Sequence, residues 1–230
     1  MTVMNEFFRF PHTPHIAWLA SGQPRDDKVL SAQEAEAMLG HEVVVEEKLD
    51  GANMGISFSP EAVLHVQNRG QYLNRPYGGQ FSRVDEWLAT REDELFDALG
   101  SRLMLFGEWC AAQHSLDYDA LPDWFLAFDV FDRQEQRFWS TARRNALAES
   151  LGIKVVPRVS KGHTSLVALT QWVQDKTSHY RQGHLEGVVI RHEDDDWLIQ
   201  RAKLVRPDFV QSIEEHWRSR ALQWNRISWE

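Results

Sequence analysis

A chain of 230 residues, 43% hydrophobic and 26% charged, has the composition of a globular protein long enough to bury a sizeable core. No apolar run approaches the roughly 20 residues needed to cross a bilayer, and the single cysteine excludes an internal disulfide. The net charge of −9 argues against a protein that binds nucleic acid through its overall charge, although it does not exclude a local row of basic residues. The opening residues show no secretory signal pattern, so we expect a cytoplasmic protein without membrane contacts.

Short helices and strands follow one another along the chain. Ser31 and Glu34 form a capping-box sequence and Gly40 provides a stop, which predicts a helix at residues 31–39. Hydrophobic periodicity predicts further helices at 81–99, 141–151, 165–177 and from Asp208 onward. Valine-rich or alternating segments predict strands at 42–48, 53–58, 62–67, 103–109, 124–131, 155–159, 187–192 and 197–203.

These elements predict an α+β protein of mostly antiparallel sheets with flanking helices. The first three strands are expected to form a meander and the last two a hairpin. Pro157 would confine its strand to a sheet edge, and Asp208 is the predicted N-cap of the last helix. We expect one domain over 1–230, with 1–30 as an N-terminal extension and 208–230 as a C-terminal helix and tail.

The chemistry concentrates where the strand at 42–48 ends. Lys48 is followed by Leu49, Asp50 and Gly51, so a lysine leaves a buried strand and enters a tight turn. Burial there would favour a neutral amine, and a neutral lysine is a nucleophile able to attack a phosphate. The alternative is an ordinary turn with a solvated lysine, because Asp-Gly is a common turn pair.

Six segments in chain order resemble the motifs of the covalent nucleotidyltransferases, the superfamily of ATP-dependent DNA ligases, RNA ligases and mRNA capping enzymes. They are residues 48–53 (Lys-Leu-Asp-Gly-Ala-Asn), 69–70, 106–109, 125–131, 186–191 and 200–203. Each segment is weak alone, but six in one order are specific. The resemblance implies the ligase adenylation-domain fold, with Lys48 as the residue that becomes covalently adenylylated.

The resemblance also implies a set of contacts to the phosphates and to a metal ion. Lys203 and Arg201 would offset the charge that develops at the α-phosphate, and Lys203 would lower the pKa of Lys48. Arg69 would contact the ribose and phosphate region. Glu186, a hard oxygen ligand, would bind Mg²⁺ or Mn²⁺.

The remaining predicted contacts hold the nucleoside. Phe128 would stack on adenine, and Glu108 would accept hydrogen bonds from the ribose. Glu47 would contact adenine, and Leu49 and Asn53 would line the nucleotide site.

Some of these residues depart from the superfamily pattern or have a plainer interpretation. Arg201 and Arg191 stand where lysines are often found. The positive charge is kept, but a planar guanidinium group replaces a compact ammonium group. Read alone, Glu108 and Glu186 would be strand-end carboxylates and Phe128 a core residue. His12 and His15 have neither a cysteine partner nor helical spacing, so zinc is not predicted.

Within the superfamily, the chain most resembles bacterial and phage RNA ligases. Only 27 residues follow Lys203, too few for the oligonucleotide-binding barrel that capping enzymes and most DNA ligases append. The segments 10–15 and 203–209, and Glu47 directly before Lys48, carry this resemblance. We therefore expect an ATP-dependent RNA ligase that uses ATP and Mg²⁺ or Mn²⁺ and joins a 5′-phosphate to a 3′-hydroxyl.

Three alternatives stay open at this point. They are a minimal DNA ligase, an adenylyltransferase with another acceptor, and a nucleotide- or RNA-binding module without ligase activity. A protein partner would be one source of further nucleic-acid contacts. Candidates for a basic track on this chain are Arg69, Arg75, Arg83, Lys161 and Arg206.

Overall fold

The computed structural model describes residues 7–22, 24, 28–212 and 221–228. Two antiparallel sheets form the framework. The four-stranded sheet has the order β10-β9-β1-β8, with β1 at Val43–Lys48, β8 at Arg158–Gly162, β9 at Gly187–Glu193 and β10 at Leu198–Val205. The six-stranded sheet has the order β4-β3-β2-β5-β6-β7, with β2 at Ala52–Phe58, β3 at Leu64–Gln67, β4 at Tyr72–Leu73, β5 at Leu103–Trp109, β6 at Phe125–Asp132 and β7 at Arg137–Phe138.

Helices flank both sheets, as predicted. They are α1 at Ala32–Leu39, α2 at Val84–Leu88, α3 at Glu92–Leu99, α4 at Thr141–Ser150, α5 at Leu166–Asp175 and α6 at Pro207–Ser212, with a 3₁₀ turn at Gly79–Phe81. The capping box of α1 is present. The helical region predicted at 81–99 is interrupted between α2 and α3, where the Arg91 side chain donates to the Trp87 carbonyl. None of the described helices is long and apolar enough to cross a membrane.

The predicted three-stranded meander is wrong, because its first strand belongs to the other sheet. β1 pairs with β8 and β9, while β2 pairs with β3 and β5. The first five residues of β1 are buried, and such a strand is stable at the centre of a sheet with a partner on either side. Residues 49–51 therefore carry the chain from one sheet to the other. The predicted pairing of β2 with β3, and the hairpin of β9 with β10, are confirmed.

Two local predictions also need correction. The edge strand near Pro157 exists, but it begins at Arg158, after the proline that cannot donate to the ladder. Asp208 is not the N-cap of α6, since the helix begins at Pro207 and Asp208 pairs with Arg206 from the first turn. The rest of the predicted C-terminal helix, residues 213–220, lies outside the described residues.

Each sheet has its own apolar core. The four-stranded sheet packs Val45, Ile190 and Leu204 against α1 and α5. The six-stranded sheet packs Ile56 and Leu105 against α2 and α3. Each core stabilises its own sheet, and the boundary between the two sheets is left to polar groups.

Candidate active site

A cavity of about 360 Å³ lies where the two sheets meet, in the size range of cavities that hold small-molecule ligands. It is lined by Phe10, Thr13, Glu46, Glu47, Lys48, Leu49, Gly51, Asn53, Arg69, Glu108, Phe128, Asp129, Val156, Val189, Arg191, Arg201 and Lys203. Of the ten predicted site residues, nine line this cavity. The tenth, Glu186, contacts the side chain of Lys48. The fold therefore brings together residues that lie as far apart in the chain as Glu47 and Lys203.

Lys48 is held by a carboxylate at the end of β1. Its Nζ lies 2.6 Å from Oε1 of Glu186, and the two side chains are 28% and 4% exposed. Burial lowers the pKa of Lys48, but the charges of Glu186, Glu108 and Asp50 outweigh it, so the pKa of Lys48 is raised. The prediction of a neutral amine is therefore wrong for this structure. It took account of the burial and omitted the three carboxylates that the fold places around the amine.

Two of these carboxylates, Glu186 and Glu108, have raised pKa values themselves. Burial raises the pKa of Glu186 to about 8 and that of Glu108 to about 7, while the positive charge of Lys48 acts in the opposite direction. Both groups can therefore gain or lose a proton near neutral pH. Oε1 of Glu108 also accepts a hydrogen bond from the Gly51 N–H at 3.0 Å, which ties β5 to the turn after Lys48.

The turn after Lys48 is further fixed through Asp50. Its Oδ2 accepts hydrogen bonds from the backbone N–H groups of Ser115 and Leu116, both at 2.7 Å. The Asp50 N–H donates to the Tyr118 hydroxyl at 2.8 Å. Asp50 therefore anchors the turn to the segment that follows β5.

Glu47 is buried and its carboxylate is held on both oxygens. Oε1 accepts from the Ser178 hydroxyl at 2.5 Å, and Oε2 accepts from the His179 N–H at 3.0 Å and lies 2.8 Å from His179 Nδ1. Ser178 and His179 thus fix the carboxylate at the cavity wall. The contact of Glu47 with adenine stays a prediction.

Arg201 lines the cavity but is already paired. Its guanidinium forms an ion pair with Asp129, which also accepts from Nη2 of the fully buried Arg191 at 2.8 Å. Burial and the neighbouring arginines Arg191 and Arg69 lower the pKa of Arg201 to about 10, against the charge of Asp129. The phosphate contact predicted for Arg201 stays a prediction, and it would have to compete with Asp129.

Glu46, Asp129 and Arg144 are site residues that the sequence analysis missed. Arg144 of α4 donates to Oε1 of Glu46 at 2.6 Å and to the Phe128 carbonyl at 2.7 Å. Arg191 donates to the same carbonyl at 3.3 Å. The available signal was Glu46 itself, since a carboxylate in a valine-rich buried strand needs a partner.

The N-terminal segment forms part of the cavity wall. The Lys203 N–H of β10 donates to the Pro14 carbonyl, and the Ile16 N–H donates to the Lys203 carbonyl, both at 2.8 Å. Phe10 packs edge-on against Phe128, with ring centroids 5.4 Å apart. The described part of the N-terminal extension is therefore a structural component of the site.

The candidates for a basic track differ in how much of their charge is available. Arg75 and Arg206 are each paired with nearby carboxylates. The guanidinium of Arg83 contacts the rings of Trp124 and Trp224, and Lys161 is exposed on β8. Arg69 is exposed at the cavity, and within the described part of the chain it has no carboxylate partner, which favours it as an anion contact.

Comparison with protein families decides the assignment. The model of the family described as RNA ligase matches residues 41–205, which include all six motifs. The chain belongs to the RNA ligase family. A comparison with curated protein sequences gives no match.

Solved structures of Naegleria gruberi RNA ligase are similar to this chain. The structure with PPi has a TM-score of 0.62 and 18% identity and covers 91% of this chain and 65% of that one. A variant with AMP and Mn has a TM-score of 0.60 at 16% identity, with the same coverage, and a variant with ATP and Mn has 0.59 at 18%, covering 79% and 54%. The predicted nucleotidyltransferase fold is thereby confirmed. This chain spans between 54% and 65% of the length of those ligases.

Proposed function

We propose that this chain is an ATP-dependent RNA ligase that works through a lysyl-AMP intermediate at Lys48. The observation that carries the proposal is the placement of Lys48 beside Glu186, at a cavity lined by the eight other predicted nucleotide residues. AMP then passes from Lys48 to the 5′-phosphate of an RNA end, and a 3′-hydroxyl displaces the AMP to seal the strand.

In the first step, Nζ of Lys48 forms a bond to the α-phosphorus while the bond from that phosphorus to the pyrophosphate oxygen breaks. The Lys48 ammonium group loses two protons in this step, one before the attack and one after the new bond forms. Oε1 of Glu186, 2.6 Å away, is an acceptor for the first proton, and the second passes to solvent or to the leaving pyrophosphate. A carboxyl with a pKa of about 8 is matched to a base that works near neutral pH. Lys48 and Glu186 together can therefore supply the nucleophile and remove its proton.

The acidic groups of the site fit a magnesium or manganese ion. Oε2 of Glu186 and Oδ1 of Asn53 are buried and have no hydrogen-bond partner in the part of the chain that the structure describes, and both are hard oxygen ligands. Among the described residues, no three His, Cys, Asp or Glu side chains form a complete metal site, which suits an ion that takes its other ligands from phosphates and water. Bound there by Glu186, the ion would neutralise phosphate charge.

The rest of the cavity supports the nucleotide contacts of the proposal. The half-buried ring of Phe128 would stack on the base, backed by Phe10. Glu108 would accept from the ribose, and Lys203 and Arg69 would contact the phosphates. Together these contacts would hold the α-phosphate beside Lys48.

Transfer of label from ATP to Lys48 tests the proposal. The protein is first treated with pyrophosphate and desalted to remove any AMP already attached, then incubated with α-labelled ATP and Mg²⁺ and denatured. Wild type and Lys48→Ala are compared with Lys161→Ala, which removes an exposed lysine of β8. We expect label on the wild type and on Lys161→Ala only. An unlabelled wild type would leave a binding module without covalent chemistry as the better interpretation.

The choice of acceptor needs a second assay. Membership in the RNA ligase family supports RNA ends as the substrate, and DNA is the alternative. Matched 5′-phosphorylated RNA and DNA strands of one sequence, single-stranded or nicked on a complementary strand, would be offered to the labelled enzyme. Sealing of RNA is expected; preferential sealing of DNA would assign a minimal DNA ligase. Label without sealing would indicate another acceptor or a missing protein partner. The cytoplasmic location stays a prediction.

A further inference from the structure

Residues 221–228, here called the C-terminal strap, lie along the segment that follows β5. The Gln113 N–H donates to the Gln223 carbonyl at 2.9 Å, and the Arg226 N–H donates to the Tyr118 carbonyl at 2.9 Å. The strap lies outside the region 41–205 that the RNA ligase family model matches. Its contacts are therefore additional to the features that define the family.

Asn225 is the polar centre of the strap. The residue is 5% exposed, and its Nδ2 donates to the carbonyls of Cys110 and Ala112 at 2.8 and 3.3 Å. Its Oδ1 accepts from the Tyr118 N–H at 2.8 Å. One buried side chain thus holds residues 110–118 at both ends, and its removal would leave three backbone groups to find new partners.

The segment held by Asn225 is the one that anchors the turn after Lys48. The Tyr118 hydroxyl accepts from the Asp50 N–H, and the N–H groups of Ser115 and Leu116 donate to the Asp50 carboxylate. Asp50 is two residues from Lys48. A path of hydrogen bonds therefore runs from the strap to Asp50, and two residues of backbone connect Asp50 to Lys48.

We propose that Asn225 is a positioning residue for Lys48, an inference that rests on the proposed adenylylation of that lysine. By fixing residues 110–118, Asn225 fixes Asp50 and so the direction from which the amine approaches the α-phosphorus. Attack requires the nucleophile in line and within about 3–3.5 Å of its target, so a small displacement of the turn lowers the rate. Asn225 does not line the cavity, so ATP binding should be affected much less.

Single-turnover transfer of α-labelled AMP to the protein tests this inference, with melting temperature measured alongside. Asn225→Ala is compared with Gln223→Ala, an exposed neighbour that contributes only its backbone carbonyl. We expect Asn225→Ala to lower the rate at saturating ATP by about tenfold or more, with the ATP concentration for half-maximal rate changed less than about threefold. Gln223→Ala should match the wild type in rate and half-maximal concentration.

Tyr118→Phe tests the same positioning role independently. It removes the hydroxyl that accepts the hydrogen bond from the Asp50 N–H and keeps the backbone contacts of the strap. The two substitutions should lower the rate non-additively if they act through one path. Should Asn225→Ala fail to fold, Tyr118→Phe alone decides. Wild-type rates in the folded variants, with only the melting temperature lowered, would overturn the positioning role. An unlabelled wild type would instead overturn the proposed function.

Discussion

At the scale of single residues, the state of Lys48 depends on its neighbours more than on its burial. Three carboxylates, Glu186, Glu108 and Asp50, surround one ammonium group and keep it protonated. Nucleophilic attack would need the neutral amine, so the carboxylates that hold Lys48 in place would also oppose the proposed reaction until Glu186 accepts a proton. A divalent cation bound at Glu186 would weaken that opposition, which links metal binding to the activation of the lysine.

This charge balance predicts the pH dependence of adenylylation. Because the pKa of Lys48 is raised, its neutral fraction is small at pH 7, and the rate of lysyl-AMP formation should rise between about pH 6 and 9. Glu186→Gln removes the carboxylate that raises this pKa most, so the rise should move to lower pH while the maximal rate falls. Single-turnover labelling across pH measures both, with the exposed Glu149→Gln as control. If the rate of Glu186→Gln rose over the same pH range as that of the wild type, Glu186 would not be the group that raises the pKa of Lys48.

At the scale of elements, the informative feature is the connection between β1 and β2. β1 and β2 are consecutive in the chain but belong to different sheets, so the turn at 49–51 that joins them lies at the wall of the cavity. Gly51 makes the crossing possible because β5 passes very close to it. A Cβ added there would lie 2.6 Å from the Trp109 carbonyl oxygen and 3.1 Å from the Cys110 sulfur.

Gly51→Ala should therefore damage both stability and activity. The added methyl group meets backbone that cannot move aside, so the turn must shift, at a cost of about 1–3 kcal/mol in unfolding free energy. The displaced Lys48 should form lysyl-AMP about tenfold more slowly or worse. Gly78→Ala is the control, since nothing lies within 4 Å of a Cβ at that position. Urea denaturation and labelling measure the two effects, and equal behaviour of the two variants would argue against close packing at Gly51.

At the scale of the whole molecule, buried charges at the cavity wall join the two sheets. Asp129 of β6 pairs with Arg191 of β9 and Arg201 of β10, and Arg144 bridges Glu46 of β1 to the Phe128 carbonyl of β6. Because each sheet has its own apolar core, this network is a major polar connection between them. Such pairs are costly to bury but more costly to break.

Asp129→Ala should consequently destabilise the fold strongly. It leaves two buried arginines without their shared carboxylate, a change that typically costs about 3–5 kcal/mol. Asp85→Ala removes one of the two carboxylate partners of the exposed Arg75 and should cost about 0–1 kcal/mol. Urea denaturation of both variants gives the comparison. Similar losses would show that Asp129 contributes little to holding the sheets together.

Local sequence determined most of the elements and predicted many of the residues that line the cavity. The capping box of α1 and the hairpin of β9 with β10 depend on neighbours in the chain, which is why their patterns were sufficient. The ordered motifs likewise named Lys48, Glu108, Phe128 and Lys203, because each motif carries its own residue types. All four line the cavity.

Only the tertiary structure decided how those parts meet. Strand pairing over long separations placed β1 and β2 in different sheets, and no local pattern specifies such a pairing. The protonation of Lys48, the pairing of Arg201 with Asp129 and the path from Asn225 to Asp50 all join residues distant in sequence. Electrostatic and hydrogen-bonding energies depend on distances through space and on burial, and the order of residues along a chain specifies neither.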